Sequence, residues 1–447
     1  MKKVFKTLLA AILAVVMSVT LFAFAGCGDE DNKDGNDKNN GGTTQVSNED
    51  KLLATEYSAL ELEATVGIGD EGEYDVAAKV NLDGNADISV KALGKGENAG
   101  DDFFMYFFMR GWKVYGTFTE AEETDFSAAE LEGFVDINQV LESVLGGTGV
   151  ELPENIASKL ELDKAVDEVL DLVNYLVLNL GKAANAVTEA NNSLTVDLNK
   201  LMFNAVTDIK GVVNGLTNDT TVGQILANEN LKKYVKVITE LVTPEELVAT
   251  LVEAIDGAAG GEGVPAEATA IIAQVKTLLN TVKPDANSST YDYIVKLVGS
   301  QELVNLINQV MGAPEGTGLT KKLTEFKVSE LLALAGEEEL TLDSIKAMVN
   351  QYTSIVTATA LTFGEDSKAE ALKVVYAYEG DYSLKSMAFA GKITIEGMLM
   401  DIDATLTFNK TAFTGFATLP AQLPEIEDFE IDKEPAYPEE NGSVVVG

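Results

Sequence analysis

The side chains able to do chemistry in this chain are few and lopsided. One cysteine, Cys27, supplies the only thiol among 447 residues, and there is no histidine. Without imidazole the chain lacks the usual general base, the commonest transition-metal ligand and the side chain that titrates near neutrality. A Ser-His-Asp or Cys-His site is therefore excluded, and one thiol cannot form an internal disulfide. Carboxylates are abundant instead: 72 Asp and Glu against 32 Lys and Arg, a net charge of −40. A glycosidase-type hydrolase needs two carboxyl groups roughly 5–10 Å apart in a cleft, but no spacing in the chain selects a pair. Asp401 and Asp403 share a strand face and read as an ordinary wet surface. The run Asp29-x-Asp31-x-Lys33-Asp34-Gly35 has the outline of a calcium loop, but Lys33 stands at a ligand position. No metal or cofactor is expected. Gly67-x-Gly69-x-x-Gly72 has dinucleotide spacing. An extended run, Tyr74 to Leu82, follows it in place of a helix whose N-terminus could take a pyrophosphate, so it reads as a turn.

A second group stands out by its apolarity. Phe103-Phe104-Met105-Tyr106-Phe107-Phe108-Met109 precedes Arg110-Gly111 and Trp112-Lys113-Val114-Tyr115. The first run does not alternate, so it is a strand covered on both faces or one that lines something. In the second case Phe103, Phe104, Tyr106, Phe107, Phe108 and Trp112 form a wall for an apolar ligand.

The third group is the leader. Lys2, Lys3 and Lys6 precede an apolar run from Leu8 to Ala25, broken only by Ser18 and Thr20, and then Ala25-Gly26-Cys27. A charged head, an apolar middle and a small-residue end make a secretory signal. The ending Phe24-Ala25-Gly26-Cys27 resembles the lipobox of bacterial lipoprotein signal peptides, with Phe24 where that family usually has Leu. The resemblance implies cleavage between Gly26 and Cys27 and a diacylglyceryl group on the Cys27 sulfur. It also implies an extracytoplasmic protein anchored to the membrane by lipid. An uncleaved span is the alternative, since Leu8 to Ala25 is long enough to cross a bilayer. An ordinary secretory signal is another. The polar run from Gly28 to Asp50 suits a disordered tether with an r.m.s. reach of roughly 25–30 Å, and two acyl chains hold far better than one.

The charge bounds the partners. The leader carries three lysines and no acids, so the remainder is more negative still. Such a field repels nucleic acid, and no nucleic-acid role is expected. Past the leader the longest uncharged stretch, Ala347 to Gly364, is too polar for a further span.

These residues need elements to carry them, and about 420 residues are enough for a sizeable core. From 54 to 119 the pattern is strands: Leu60, Leu62, Ala64 and Val66 alternate with polar residues, as do Tyr74, Val76, Ala78 and Val80, then Ile88 and Val90. Period two with one wet face means an antiparallel sheet covered on one side, and Asp83-Gly84 marks a hairpin. From 136 to 352 the period becomes helical, as in Val169, Leu170, Val173, Leu176, Val177 and Leu180. Thr243-Pro244-Glu245-Glu246 is a helix start with a capping box. Gly257 and Gly312 read as helix stops, and Asn191-Asn192-Ser193 as a polar break among about eight helices. The figure Ile137-x-x-Val140-Leu141 recurs at Val222-x-x-Ile225-Leu226 and Val328-x-x-Leu331-Leu332. Its unequal spacing argues against a solenoid, and it reads as core. From 353 to 416 strands return, with Met387, Phe389, Ile393 and Ile395 on one face and Met400, Ile402, Ala404, Leu406 and Phe408 likewise. Residues 420–447 read as a loose acidic tail.

The expected fold is therefore α+β. A curved antiparallel sheet is built from the N- and C-terminal strands and packs against a large central helical block; two separate domains are the alternative. The layout, rather than any residue motif, resembles LolA-like and LppX-like lipoproteins, whose incompletely closed sheet holds an apolar cavity under helices. That resemblance implies an acyl chain or other lipid as ligand. A surface interaction module without a small ligand is the runner-up, and a hydrolase using a carboxylate pair the third reading.

Overall fold

In the computed structural model the described residues are 57–69, 72–95, 102–140, 162–259, 266–285, 288–310, 318–335, 341–357 and 359–426, with Leu52 and Gly100. The leader, Gly26, Cys27, the tether and residues 427–447 lie outside them. In chain order the strands and helices are β1 (Ala59–Ile68), β2 (Gly72–Asn81), β3 (Asn85–Gly94), β4 (Phe103–Arg110), β5 (Lys113–Thr119), β6 (Glu132–Asp136) and α1 (Leu162–Ala183). Then come β7 (Val187–Ala190), β8 (Ser193–Asp197), α2 (Leu198–Gly215), α3 (Val222–Leu226), α4 (Glu229–Thr239), α5 (Pro244–Ala259), α6 (Ala266–Thr281), α7 (Thr290–Val298) and α8 (Gln301–Val310). The chain ends with α9 (Val328–Ala335), α10 (Leu342–Thr353), β9 (Ala360–Gly364), β10 (Ser367–Tyr378), β11 (Leu384–Ile395) and β12 (Met398–Asn409). The fold is α+β with a large, open antiparallel sheet.

The described residues form two compact units, one within Met1–Asn174, Ala190–Leu194 and Val374–Gly447 and the other within Tyr175–Glu189 and Thr195–Lys373. In the first, the strands lie in the order β6-β5-β4-β3-β2-β1-β12-β11. The first strand and the last pair along ten residues, from Ala59 opposite Asn409 to Ile68 opposite Met400. One sheet is thus made from both ends of the chain. The register confirms the period-two reading, because directly opposed residues share a face. One row runs Phe107, Ile88, Ala78, Leu62, Leu406, Met387 across six strands. The adjoining row on the other face runs Phe108, Asp87, Lys79, Glu61, Thr407, Ser386. One face is apolar, the other wet except at β4 and β5. The Asp83-Gly84 hairpin is present, with Gly84 at φ +88°.

The second unit holds most of the helices. The capping box at α5 forms as expected: Thr243 N–H donates to the Glu246 carboxylate at 2.7 Å and Glu246 N–H to the Thr243 hydroxyl at 3.2 Å. The helix runs past Gly257 to Ala259, and Gly312 lies outside the described residues. The described residues include ten α-helices. The Asn191-Asn192 break is not a gap between helices but the turn joining β7 to β8. Both asparagines have positive φ, +51° and +57°, the geometry of a two-residue hairpin turn that Asn tolerates. Inside this unit Leu278, Val282 and Tyr293 form a buried cluster with Leu247, Val248 and Leu303 around it. The Tyr293 hydroxyl is buried without a hydrogen-bond partner. An orphaned buried hydroxyl costs about 1–3 kcal/mol. Tyr293→Phe is therefore expected to leave stability unchanged or raise it by about 1 kcal/mol. A loss of 2 kcal/mol or more in urea titration would contradict an orphaned hydroxyl.

Burial alone raises the pKa of Tyr293 and Tyr376. At Tyr234 burial comes first, and the hydrogen bond and charge of Asp208, 2.8 Å away, add to it. A raised folded-state pKa means the folded chain keeps protons that the unfolded chain gives up. These groups' contribution is complete below the free phenol pKa of about 10 and is lost as pH rises beyond it. Phenolate absorbance at 295 nm from these tyrosines is expected to appear only with loss of far-UV ellipticity. Full titration near pH 10 in a chain that is still folded would contradict their burial.

Candidate functional site

Strand β4 carries the aromatic run, and a pleat puts neighbours on opposite faces. Phe104, Tyr106 and Phe108 stand on one side and Phe103, Met105 and Phe107 on the other. Phe104 to Phe108 are all buried. The two sets cannot line one surface, so the six residues expected as a wall divide into three groups.

Phe104, Tyr106 and Phe108 form a cluster with Tyr115, Phe126 and Leu131. The coil after β5 covers them: Phe126 packs on Tyr106 at 4.7 Å and on Phe108 at 4.9 Å between ring centroids. Glu123 N–H donates to the Tyr106 hydroxyl at 2.9 Å. A second cover is the chain beyond β12, where Ala417, Leu419, Leu423 and Ile426 pack on the same cluster. The tail expected to be loose from 420 is therefore packed as far as Ile426, because Leu423 and Ile426 find an apolar floor.

That segment is held by Arg110, the only arginine in the chain. Its guanidinium donates to the Asp87 carboxylate at 2.7 Å, to Ala417 C=O at 3.0 Å, and to the carbonyls of Ala86 and Met109 at 2.8 and 2.9 Å. The Phe108 and Phe416 rings lie 5.9 and 5.2 Å from it. Asp87 in turn accepts from Ala417 N–H at 2.6 Å. A planar fork can serve several acceptors at once while stacking on rings, which a lysine ammonium cannot do. The sequence signal for this residue was its rarity, 31 of the 32 basic side chains being lysines.

Trp112 belongs to neither face. With Gly111 it forms the β4–β5 turn, at φ +57° and +68°. A bulky residue rarely sits there unless its surroundings hold it. Here its N–H donates to Gly84 C=O at 3.3 Å and its C=O accepts from Ile137 N–H at 3.0 Å. Its indole lies on Gly84, where an added Cβ would come within 2.6 Å of the ring. Trp112 pins two turns together.

Phe103 and Phe107 lie on the apolar face. Phe107 packs edge-on to Phe118 and Phe134, at 6.3 and 5.6 Å, over Gly116, where a Cβ would meet the Phe134 ring at 2.5 Å. Phe118 and Phe134 are 44% and 40% exposed. Beside the Phe107 row, two more rows cross the sheet: Met105, Val90, Val76, Ala64, Ala404, Phe389, and Phe103, Ala92, Tyr74, Val66, Ile402, Gly391. At ~4.8 Å per strand this face is ~24 Å wide. Toward β4 it is mostly buried. On β1, β12 and β11 Leu62, Ala64, Val66, Ile402, Leu406 and Phe389 stay half-buried.

The remaining candidates are unremarkable in place. Gly67, Gly69 and Gly72 flank the β1–β2 connection, with Gly69 at φ +47°. Asp401 is exposed and pairs with Lys392 at 3.1 Å. Among the described residues no three acids come together as a metal site, and no helix is long and apolar enough to cross a membrane. No protein-family model, curated protein or solved structure matches this chain. The fold is that of an α+β protein with an open antiparallel sheet, apolar on one face.

Proposed function

We propose that this chain is a lipid-anchored protein of the bacterial cell envelope, held on the extracytoplasmic side through Cys27. In this reading its sheet binds an acyl chain or another apolar ligand, without catalysis. The observation that carries the ligand is the apolar face itself, three in-register rows wide and half-covered on β1, β12 and β11. Apolar surface left in contact with water on that scale is usually a docking place for something apolar. The leader ending in Cys27 supports the anchor. The exposed side chains Ile395, Met398 and Leu399 at the β11–β12 turn favour the second reading, an interaction module whose partner is another protein.

The anchor is tested by Cys27→Ser with cell fractionation. The unaltered protein is expected in the membrane fraction and the variant in the soluble fraction. Retention of a variant whose leader has been removed would overturn Cys27 as the anchor, and an unaltered protein that keeps its leader would put an uncleaved span in its place.

A further inference from the structure

We infer that residues 411–426 form a latch that opens as one unit while the sheet stays folded, lifting one of the two covers from the aromatic floor of β4 and β5. The segment runs across strands rather than along one. Phe413 is held from β2, Ala417 from β3 and β4, and Glu425 and Ile426 lie against Gly133 of β6. A segment crossing a sheet in that direction cannot join its ladder, and the hydrogen bonds described for its backbone go to side chains. Asn81 brackets Phe413, its amide donating to the carbonyl at 3.0 Å and its oxygen accepting the N–H at 2.8 Å. Asp87 and Arg110 bracket Ala417 in the same way, at 2.6 and 3.0 Å. Between the brackets Phe416 stacks on Arg110, and Lys79 lies 5.8 Å from the Phe413 ring.

The contrast with the neighbouring strand gives the latch its independence. Strand β12 is bonded on both edges, to β1 along ten residues and to β11 from Ser386 to Ile395. Freeing it means breaking two ladders. Freeing 411–426 means breaking two side-chain brackets and lifting apolar side chains that are only half-buried. Segments with that profile open locally at a lower free energy than the ladder beside them. Coupling within the segment comes from Arg110, which touches both Phe416 and Ala417, and from the floor shared by Leu419, Leu423 and Ile426. The floor beneath it, Phe104, Tyr106, Phe108 and Tyr115, keeps Phe126 as its other cover and lies on the opposite face from the apolar rows, so the latch does not depend on the ligand reading.

Native-state hydrogen exchange on the full chain tests this. The Phe413 and Ala417 amides are expected to exchange together, at least tenfold faster than the slowest amides of β12 and β1. Asn81→Ala is expected to raise exchange at both Phe413 and Ala417, about tenfold or more, and to leave β12 unchanged. Leu423→Ala, which touches no bracket, should do the same. Exchange of the segment in step with β12, or a rise confined to Phe413 in the Asn81 variant, would overturn the latch.

Discussion

Phe108→Ala is expected to lower the stability of the sheet unit by about 3–5 kcal/mol. Phe108 is 2% exposed; Phe126 of the coil after β5 lies 4.9 Å from its ring and the Arg110 guanidinium 5.9 Å, and Tyr106 shares its cluster. Removing the ring leaves a void that the coil after β5 and the segment after β12 can collapse into only by giving up their own contacts. The control is Phe118→Ala, on the same sheet but 44% exposed, expected to cost under about 1 kcal/mol. Trp112 is the only tryptophan and sits at the end of β4, so urea unfolding followed by its fluorescence reads the right unit. Equal costs for the two substitutions would contradict the burial assigned to the even-numbered face.

Arg110→Met is expected to cost about 3 kcal/mol, keeping the stem and removing the fork. The loss is large because both partners are only about a fifth exposed, 21% for Arg110 and 23% for Asp87. Without the guanidinium the Asp87 carboxylate loses its counter-charge while keeping the Ala417 N–H, and three carbonyls lose a charged donor. Arg110→Lys is expected to recover little, since one ammonium cannot serve Asp87, Ala86, Met109 and Ala417 together. A double-mutant cycle with Asp87→Asn should give a coupling of about 1–3 kcal/mol. Additive effects would mean that the pair does not act as one bracket.

Much of the sheet was legible in the sequence because its alternation is strict. Leu60 to Val66 and Met400 to Phe408 each carry one apolar face, and neither could bury it alone, which forced the two chain ends together. What alternation could not show was the far side of β4. Phe104, Tyr106 and Phe108 look like half of a binding wall until Phe126 and Leu423 are seen on them, and those residues lie in irregular chain with no period to read. The β7–β8 hairpin was missed for a related reason: four- and five-residue strands hold too few alternations, and its turn uses Asn where Gly would have been the signal. The recurring figure at Ile137, Val222 and Val328 is not core: among its described residues only Val328 is buried, and Leu331 is 37% exposed. Each first apolar N–H instead donates to a backbone carbonyl distant in the chain, Ile137 to Trp112, Val222 to Phe326 and Val328 to Thr220. Two of the three also pair with each other through the Thr221–Lys327 bridge. Sequence spacing shows that such positions repeat; only three-dimensional pairing shows what they bind.

The most direct test of the proposed function is native mass spectrometry of the intact protein, released from membranes in mild detergent. The expected species is a chain beginning at Cys27, heavier by a diacylglyceryl group, with a second apolar molecule bound non-covalently that is lost on collisional activation. A protein that ionises softly with nothing bound, from several preparations, would contradict a ligand on the half-covered face of β1, β12 and β11.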